Sequence, residues 1–339
     1  MKKIFISVTI KPFIEDKIRL KQLLQSGINI VRIPFWEPSI SLSIKNIVFY
    51  IKNNFENIKI LLDLPGNKPR FGDFYTNPIN IVPGKIYKIT KNNQAPDEQT
   101  LPIASNEFLH YCKTGDKLIC GDGDAVFKIV SNNSKQLKVI SEYPSTLYAR
   151  KGLAIAGKNN IVDSDINNPL TDNVVEFAKH NPTDWIAISF VKGEKEINIL
   201  KNKLIKSGNK KTKIISKIET EIGFKNYVEI VDASDGIMIG RGDLANYFDY
   251  GLLALAQKRI IKECNKKNKF SILSTGVLTS LLTRAIPRAA EISDITNAVI
   301  DGADCIQLCE ETAHSLAPSH PVKILKHVIN STIKSLDKY

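Results

Sequence analysis

The feature that most constrains this chain is a rhythm. Eight short runs rich in apolar and β-branched residues recur along it: Ile4 to Val8, Ile28 to Ile33, Ile58 to Leu64, Trp185 to Val191, Lys213 to Ile218, Gly236 to Gly240, Phe270 to Ser274 and Cys305 to Leu308. Apart from one long gap they start 23 to 35 residues apart, with helix-compatible sequence between them. That is the pattern of repeated βα units. Nearly continuous apolar character suits parallel strands covered on both faces. Eight such units predict an α/β fold of the TIM (β/α)8 barrel kind, whose functional residues gather at strand ends. A doubly wound sheet competes, but it would leave two edges and normally uses fewer strands.

The gap is informative in its own right. Between Leu64 and Trp185 lie 120 residues where one helix would suffice. Inside it, short runs at Lys85 to Ile89, Lys117 to Cys120, Ala125 to Val130 and Gln136 to Ile140 are broken by Gly/Asn/Asp-rich turns. This punctuation predicts a small all-β domain inserted after the third strand. The expected division is residues 1–71 for the first part of the barrel, 72–157 for the insert and 158–339 for the rest. A module tethered by two strands can act as a lid over the strand ends.

Composition narrows the function. The chain has 339 residues, 43% apolar and 24% charged, so it is neither disordered nor fibrous. No apolar stretch reaches the roughly 20 residues of a membrane span, and the run after the N-terminal lysines soon meets Lys11 and Pro12, which reads as a first strand rather than an export signal. Cys112, Cys120, Cys264, Cys305 and Cys309 show neither Cys-x-x-Cys spacing nor a dense disulfide framework, and a reducing cytoplasm is expected. The formal net charge is +12. The lysine-rich stretch from Lys201 to Lys213 reads as a solvated helix surface followed by a turn. With no aromatic residues interleaved to stack bases, no nucleic-acid partner is expected.

Chemistry concentrates at the later strand ends. In Ser216-Lys217-Ile218-Glu219, period-two alternation puts Lys217 and Glu219 on one side. A charged pair facing a barrel mouth carries a large desolvation cost without a metal or anionic partner; a surface salt bridge is the bland alternative. One strand later comes Gly240-Arg241-Gly242-Asp243, where the glycines let backbone approach a ligand and Asp243 either holds a metal or caps a helix. Paired with Glu219 it makes a two-carboxylate site for a hard cation, completed by oxygens of a small oxyacid and water. Thr275 reads equally as a donor to a carboxylate, a proton relay or a strand-end cap.

The segment IISKIETEIGFKNYVEIVDASDGIMIGRGDL, Ile214 to Leu244, closely resembles the metal and substrate region of pyruvate kinases. Further resemblance lies in WIAISFV, QKRIIKECNKKNKF, STGVLTSL and AAEISDITNAVIDGADCIQLCEETA, with weaker echoes in GINIVRIPF, DLPGNKPRFG and RKGLAIAG. It implies a barrel with an inserted β-domain and phosphoryl transfer between phosphoenolpyruvate, or a related enol phosphate, and ADP or another nucleoside diphosphate. By that resemblance Glu219 and Asp243 bind Mg2+ or Mn2+. Gly242 and Asp243, with Thr275, hold the substrate carboxylate at a helix start, and Lys217 neutralises charge on the phosphoryl group and enolate. Arg32 and Arg70 match phosphate-contacting arginines, and Lys151 matches a nucleotide-side lysine.

The departures cluster. Where the family shows Asn-x-Ser-His this chain has Pro34, Trp36 and Glu37, and Leu64 replaces a threonine. Potassium ligands and a nucleotide-side histidine are therefore missing. Lys68 lies where potassium-independent members carry lysine, so no potassium requirement is expected. Trp36 either stacks on a base or fills the hole left by a partner. Arg288-Ala289 and Cys309-Glu310-Glu311-Thr312 also differ from the family pattern. The chain ends at Tyr339, where family members continue into an effector-binding C-terminal domain, so effector control of that kind is not expected, and the oligomeric state stays open. Two other readings compete with a minimal phosphotransferase: metal-dependent enolate chemistry of aldolase or lyase type on a pyruvate-like acid without a nucleotide, and a catalytically weak regulatory partner.

Overall fold

A computed structural model of the chain describes residues 3–11, 17–104, 107–158 and 161–336; Pro12 and the chain end at Tyr339 lie outside them. These residues form two compact units. The first comprises Met1–Gly66, Ser164–Arg241 and Leu252–Tyr339, the second Asn67–Asp163 with Gly242–Gly251.

The first unit is a closed barrel of eight parallel strands. They are β1 (Phe5–Thr9), β2 (Ile30–Pro34), β3 (Lys59–Leu64), β4 (Trp185–Ile188), β5 (Lys213–Ile218), β6 (Gly236–Gly240), β7 (Phe270–Ser274) and β8 (Cys305–Leu308). Each pairs with the next, and β8 returns to β1, which confirms the TIM barrel expected from the spacing. Only β4 is clearly shorter than its apolar run. The chain leaves the sheet because Phe190 adopts φ 53° and donates its backbone N–H to the Glu219 carboxylate at 2.9 Å.

Covering helices form where apolar residues recur at helical spacing. In Glu194–Lys206 the buried positions are Ile197, Leu200 and Leu204, leaving the lysines outside. Pro169–His180 is started by Asn168, whose side chain accepts the Thr171 N–H at 3.0 Å, a cap contributing about 1 kcal/mol. No described helix is long and apolar enough to cross a membrane.

The barrel interior is layered, as alternation within a strand requires. One apolar layer takes Ile30, Leu61, Ala187, Ile215, Met238, Ile272 and Cys305 from β2 through β8. Below it, at the strand N-termini, Trp185 stacks on Phe270 with ring centroids 5.4 Å apart, and Phe270 meets Phe5 edge-on. Two residues above the apolar layer the same faces carry Arg32, Asp63, Ser189, Lys217, Gly240, Ser274 and Gln307. The chemistry of the site is therefore built into the top layer of the barrel itself.

The second unit contains a six-stranded sheet in the order Leu153–Ile155, Lys117–Cys120, Ala125–Asn132, Gln136–Ser141, Ile86–Lys91 and Thr100–Ile103, and a two-stranded sheet of Ser145–Leu147 with Ile79–Ile81. Strand Ala125–Asn132 alternates as a half-buried strand must: Ala125, Phe127 and Ile129 face the core, Val126 and Lys128 face out. Phe127 and Tyr87 pack at its centre, 5.8 Å apart. The insert is not wholly β, since Glu107–Tyr111 forms one short helix that buries Phe108 and Leu109.

Candidate active site

The top layer of the barrel holds two cations against two carboxylates. Lys217, 8% exposed, and Glu219, 2% exposed, sit on the same side of β5 and its end. The Lys217 ammonium lies 2.8 Å from Ser189 Oγ, 3.1 Å from Glu219 Oε1 and 3.3 Å from Asp63 Oδ1. Ser189 in turn donates its hydroxyl proton to Leu64 O at 2.6 Å, so the oxygen facing Lys217 is an acceptor. On the other side of Asp63, Arg32 donates from Nε to Oδ2 at 2.5 Å and from Nη1 to Thr9 Oγ1 at 3.0 Å. Glu219 also has the Phe190 N–H, and glycine is needed beside it. A Cβ on Gly240 would stand 2.7 Å from the Glu219 carboxylate oxygen.

Burial and pairing pull in opposite directions here, and pairing wins. Burial alone would raise the pKa of Asp63, but Arg32 first and Lys217 second hold the carboxyl below its ordinary value. Burial alone would lower that of Arg32, yet the charge of Asp63 keeps it raised. The Arg32–Asp63 pair is thus held in its charged form. Around the rest of the ring, Ser7 donates to Gln307 Oε1 at 3.0 Å and Gln307 Nε2 donates to Ser274 Oγ at 2.8 Å. Ser189, Gln307 and Ser274 were not singled out by the sequence reading; stepping two residues up each strand from the apolar layer would have found them.

Thr275 follows β7 with φ 73°, a strained conformation for a β-branched residue. Arg241 over-determines it. Its Nε and Nη2 donate to Thr275 O at 3.0 and 2.8 Å, while Nη1 is held by Asp294 at 2.7 Å. Arg241 therefore anchors the rim, and the Thr275 hydroxyl has no hydrogen-bond partner among the described residues.

The second unit gathers other residues of the motif. Asp243, third in the helix Arg241–Tyr247, accepts a hydrogen bond from Lys68 Nζ. The Lys68 stem crosses Gly152, where a Cβ would stand 2.1 Å from its Cε. Asn246 donates to Gly121 O at 2.9 Å, tying that helix to the β-module. Arg70 forms a β-bridge with Gly152, and its exposed guanidinium donates to Arg150 O at 3.3 Å. Lys151 pairs with Asp124 at 3.3 Å.

The family model for the barrel domain of pyruvate kinase matches residues 1–322 of this chain. The chain belongs to the pyruvate kinase family. It is 32% identical over 330 residues to the pyruvate kinase of Thermoplasma acidophilum, covering 95% of this chain and 57% of that protein. To the pyruvate kinase of Thermococcus litoralis it is 29% identical over 330 residues, covering 96% of this chain and 69% of the relative. The Thermotoga maritima enzyme is 28% identical over 344 residues, with 99% and 72% covered. The chain thus spans a little over half the length of the first of these relatives.

The divalent cation implied by a pyruvate kinase fold suits the donors present. Carboxylate oxygens are hard ligands, and Gly240 keeps open the space beside Glu219 that a Cβ would fill. Among the described residues no group of three or more His, Cys, Asp or Glu converges on a metal position. Glu219 offers one such carboxylate, with substrate oxygens and water available to complete a shell. At the family's departures, Trp36 is 43% exposed. The Glu311 carboxylate is taken up by the backbone N–H groups of Leu278 and Cys309, at 3.0 and 2.7 Å.

Proposed function

We propose that this chain transfers a phosphoryl group between phosphoenolpyruvate, or a closely related enol phosphate, and a nucleoside diphosphate such as ADP, with Mg2+ or Mn2+. The observation that carries the reading is the buried Lys217 ammonium, fixed by three oxygens beside an arginine–aspartate pair at the end of the barrel strands. A divalent cation held by Glu219 and Asp243 would supply Lewis-acid stabilisation of the substrate's carboxylate and enolate oxygens. Lys217 presents a preorganised positive charge where negative charge develops; of the three oxygens named, that of Asp63 is the most distant, and the first that a phosphoryl or enolate oxygen would replace. Arg32 spends two donors on Asp63 and Thr9 and keeps the rest of its fork for phosphate oxygens. The unpartnered Thr275 hydroxyl donates to the substrate carboxylate or passes a proton, and the backbone of Gly242 and Asp243 contributes N–H donors to the same carboxylate.

Arg70 and Lys151 serve the phosphate and nucleotide side in this reading, and Lys68 supplies the charge that potassium supplies elsewhere. Rising potassium is expected to leave turnover unchanged; a steep activation would refute the role of Lys68. The nucleotide-free and purely regulatory readings are not favoured, because the relatives that match nearly all of this chain are named pyruvate kinases. A cytoplasmic location is part of the proposal, resting on five free cysteines.

The test is incubation with phosphoenolpyruvate, Mg2+ or Mn2+ and a panel of nucleoside diphosphates, followed by phosphorus NMR. A new nucleoside triphosphate is expected. Its absence while oxalate, an enolpyruvate mimic, still binds would defeat the transfer reading and return the site to nucleotide-free enolate chemistry.

A further inference from the structure

At the N-terminal end of the barrel strands, opposite the layer that holds Lys217, lies a cavity of about 880 Å³. Its wall draws on Lys52, Lys59, Lys179, Lys210, Lys211 and Lys213, with Asp184 as its acidic group. Three of these lysines are occupied. Lys52 pairs with Asp184 at 3.1 Å, Lys59 lies 4.7 Å over the ring of Trp185, and Lys179 is 3.8 Å from Glu176. Lys210, Lys211 and Lys213 have no ion-pair partner among the described residues.

The wall is a built one. Asn209 Nδ2 donates to Ala178 O and Thr212 Oγ1 donates to Thr183 O, each at 2.9 Å, and the Lys213 N–H bonds Asp184 O at 3.0 Å. Asp184 also accepts the Ile60 N–H at 2.8 Å. Segments 178–185 and 207–213, which lead into β4 and β5, and the start of β3 are thereby fixed to one another, so lysines far apart in sequence face one space. A cavity of this size suits a small ligand, and the surplus of ammonium groups selects one with several negative charges. Trp185 is buried and already covered by Lys59, so it offers no stacking platform for a base.

We propose that this cavity binds a compact polyphosphorylated molecule, with Lys210, Lys211 and Lys213 as the phosphate-contacting residues. The site is independent of the proposed transfer reaction.

The probe is inorganic tripolyphosphate, titrated at about 50 mM salt to limit screening, into the chain carrying Trp36→Phe. The sequence has two tryptophans, so emission then reports on Trp185 alone. Saturable quenching is expected, and the triple substitution Lys210→Ala, Lys211→Ala, Lys213→Ala should weaken it about a thousandfold, since charge-assisted hydrogen bonds account for roughly a factor of ten apiece. A control pair on the outer helix Leu253–Lys266, Lys262→Ala with Lys266→Ala, should change affinity less than about twofold. No saturable response, an unchanged affinity in the triple variant, equal weakening in the control pair, or equal binding of sulfate at matched ionic strength would each overturn the proposal.

Discussion

At the C-terminal end of the barrel strands the buried Lys217 and half-buried Arg32 are locked onto the buried carboxylates of Asp63 and Glu219, whereas at the N-terminal end Lys210, Lys211 and Lys213 stand exposed around a cavity without ion-pair partners. Both ends are rich in cations, and burial decides what the cations can do. A buried charge must be compensated and, once compensated, is rigid and expensive to remove. An exposed ammonium keeps its hydration, costs the fold almost nothing and is available to a diffusing anion. The first arrangement suits transition-state stabilisation; the second suits reversible binding.

The comparison breaks most visibly at Lys217. Lys217→Met should leave the chain folded, because Asp63 keeps Arg32 and Glu219 keeps the Phe190 N–H, but kcat should fall about 10²–10³-fold, the range lost with one preorganised donor. Steady-state rates beside a near-ultraviolet circular dichroism spectrum measure both. Near-normal turnover would mean that the buried cation is structural only.

Asp63→Asn attacks the same end from the other charge. It leaves Arg32 and Lys217 without a shared counter-ion, at an expected cost of about 3–5 kcal/mol in denaturant unfolding. The pH dependence sharpens this. The folded-state pKa of Asp63 is depressed below the ordinary 3.8, so its contribution is full above that pH and declines as the pH falls through the lower folded value. The variant should lose that part of the acid limb, and an unchanged profile would show that the pair does not stabilise the fold. Smaller again is Gly240→Ala, which pushes a methyl group into the Glu219 carboxylate. About 1–3 kcal/mol of strain is expected, together with weaker Mn2+ binding by electron paramagnetic resonance; retained Mn2+ affinity would argue against Glu219 as a ligand.

How much of this was legible depended on whether the signal was local. Strands β5 to β8 are readable residue for residue, because buried parallel strands leave almost unbroken apolar runs. Lys217 and Glu219 stand out since charges seldom interrupt such a run. Ser189 and Gln307 were passed over, as a single small or neutral polar residue in a strand carries no distinctive signature, although their parity with Ala187 and Cys305 marks them. Three features had no local signal. Gly242–Gly251 packs with the inserted module through Lys68 and Gly121, contacts made across more than a hundred residues of chain. The φ of Thr275 opposes the preference of its residue type and follows from the grip of Arg241. The lysine stretch reads as an ordinary solvated surface until folding brings it beside Lys59 and Lys179.

That last point yields the smallest expected effect and the most diagnostic one. If the lysines at the N-terminal end are there for the fold, replacing Lys210, Lys211 and Lys213 by alanine should cost stability, as Asp63→Asn does at the other end. If they are there for a ligand, the variant loses only exposed, unpaired charges that repel one another, and unfolding free energy should change by no more than about 0.5 kcal/mol in either direction. Adding tripolyphosphate should then raise the melting temperature of the parent chain, because a ligand that binds only the folded state stabilises it by mass action, and leave that of the triple variant where it was. A destabilised variant, or one that tripolyphosphate still protects, would place these lysines on the structural side of the comparison and erase the contrast between the two ends.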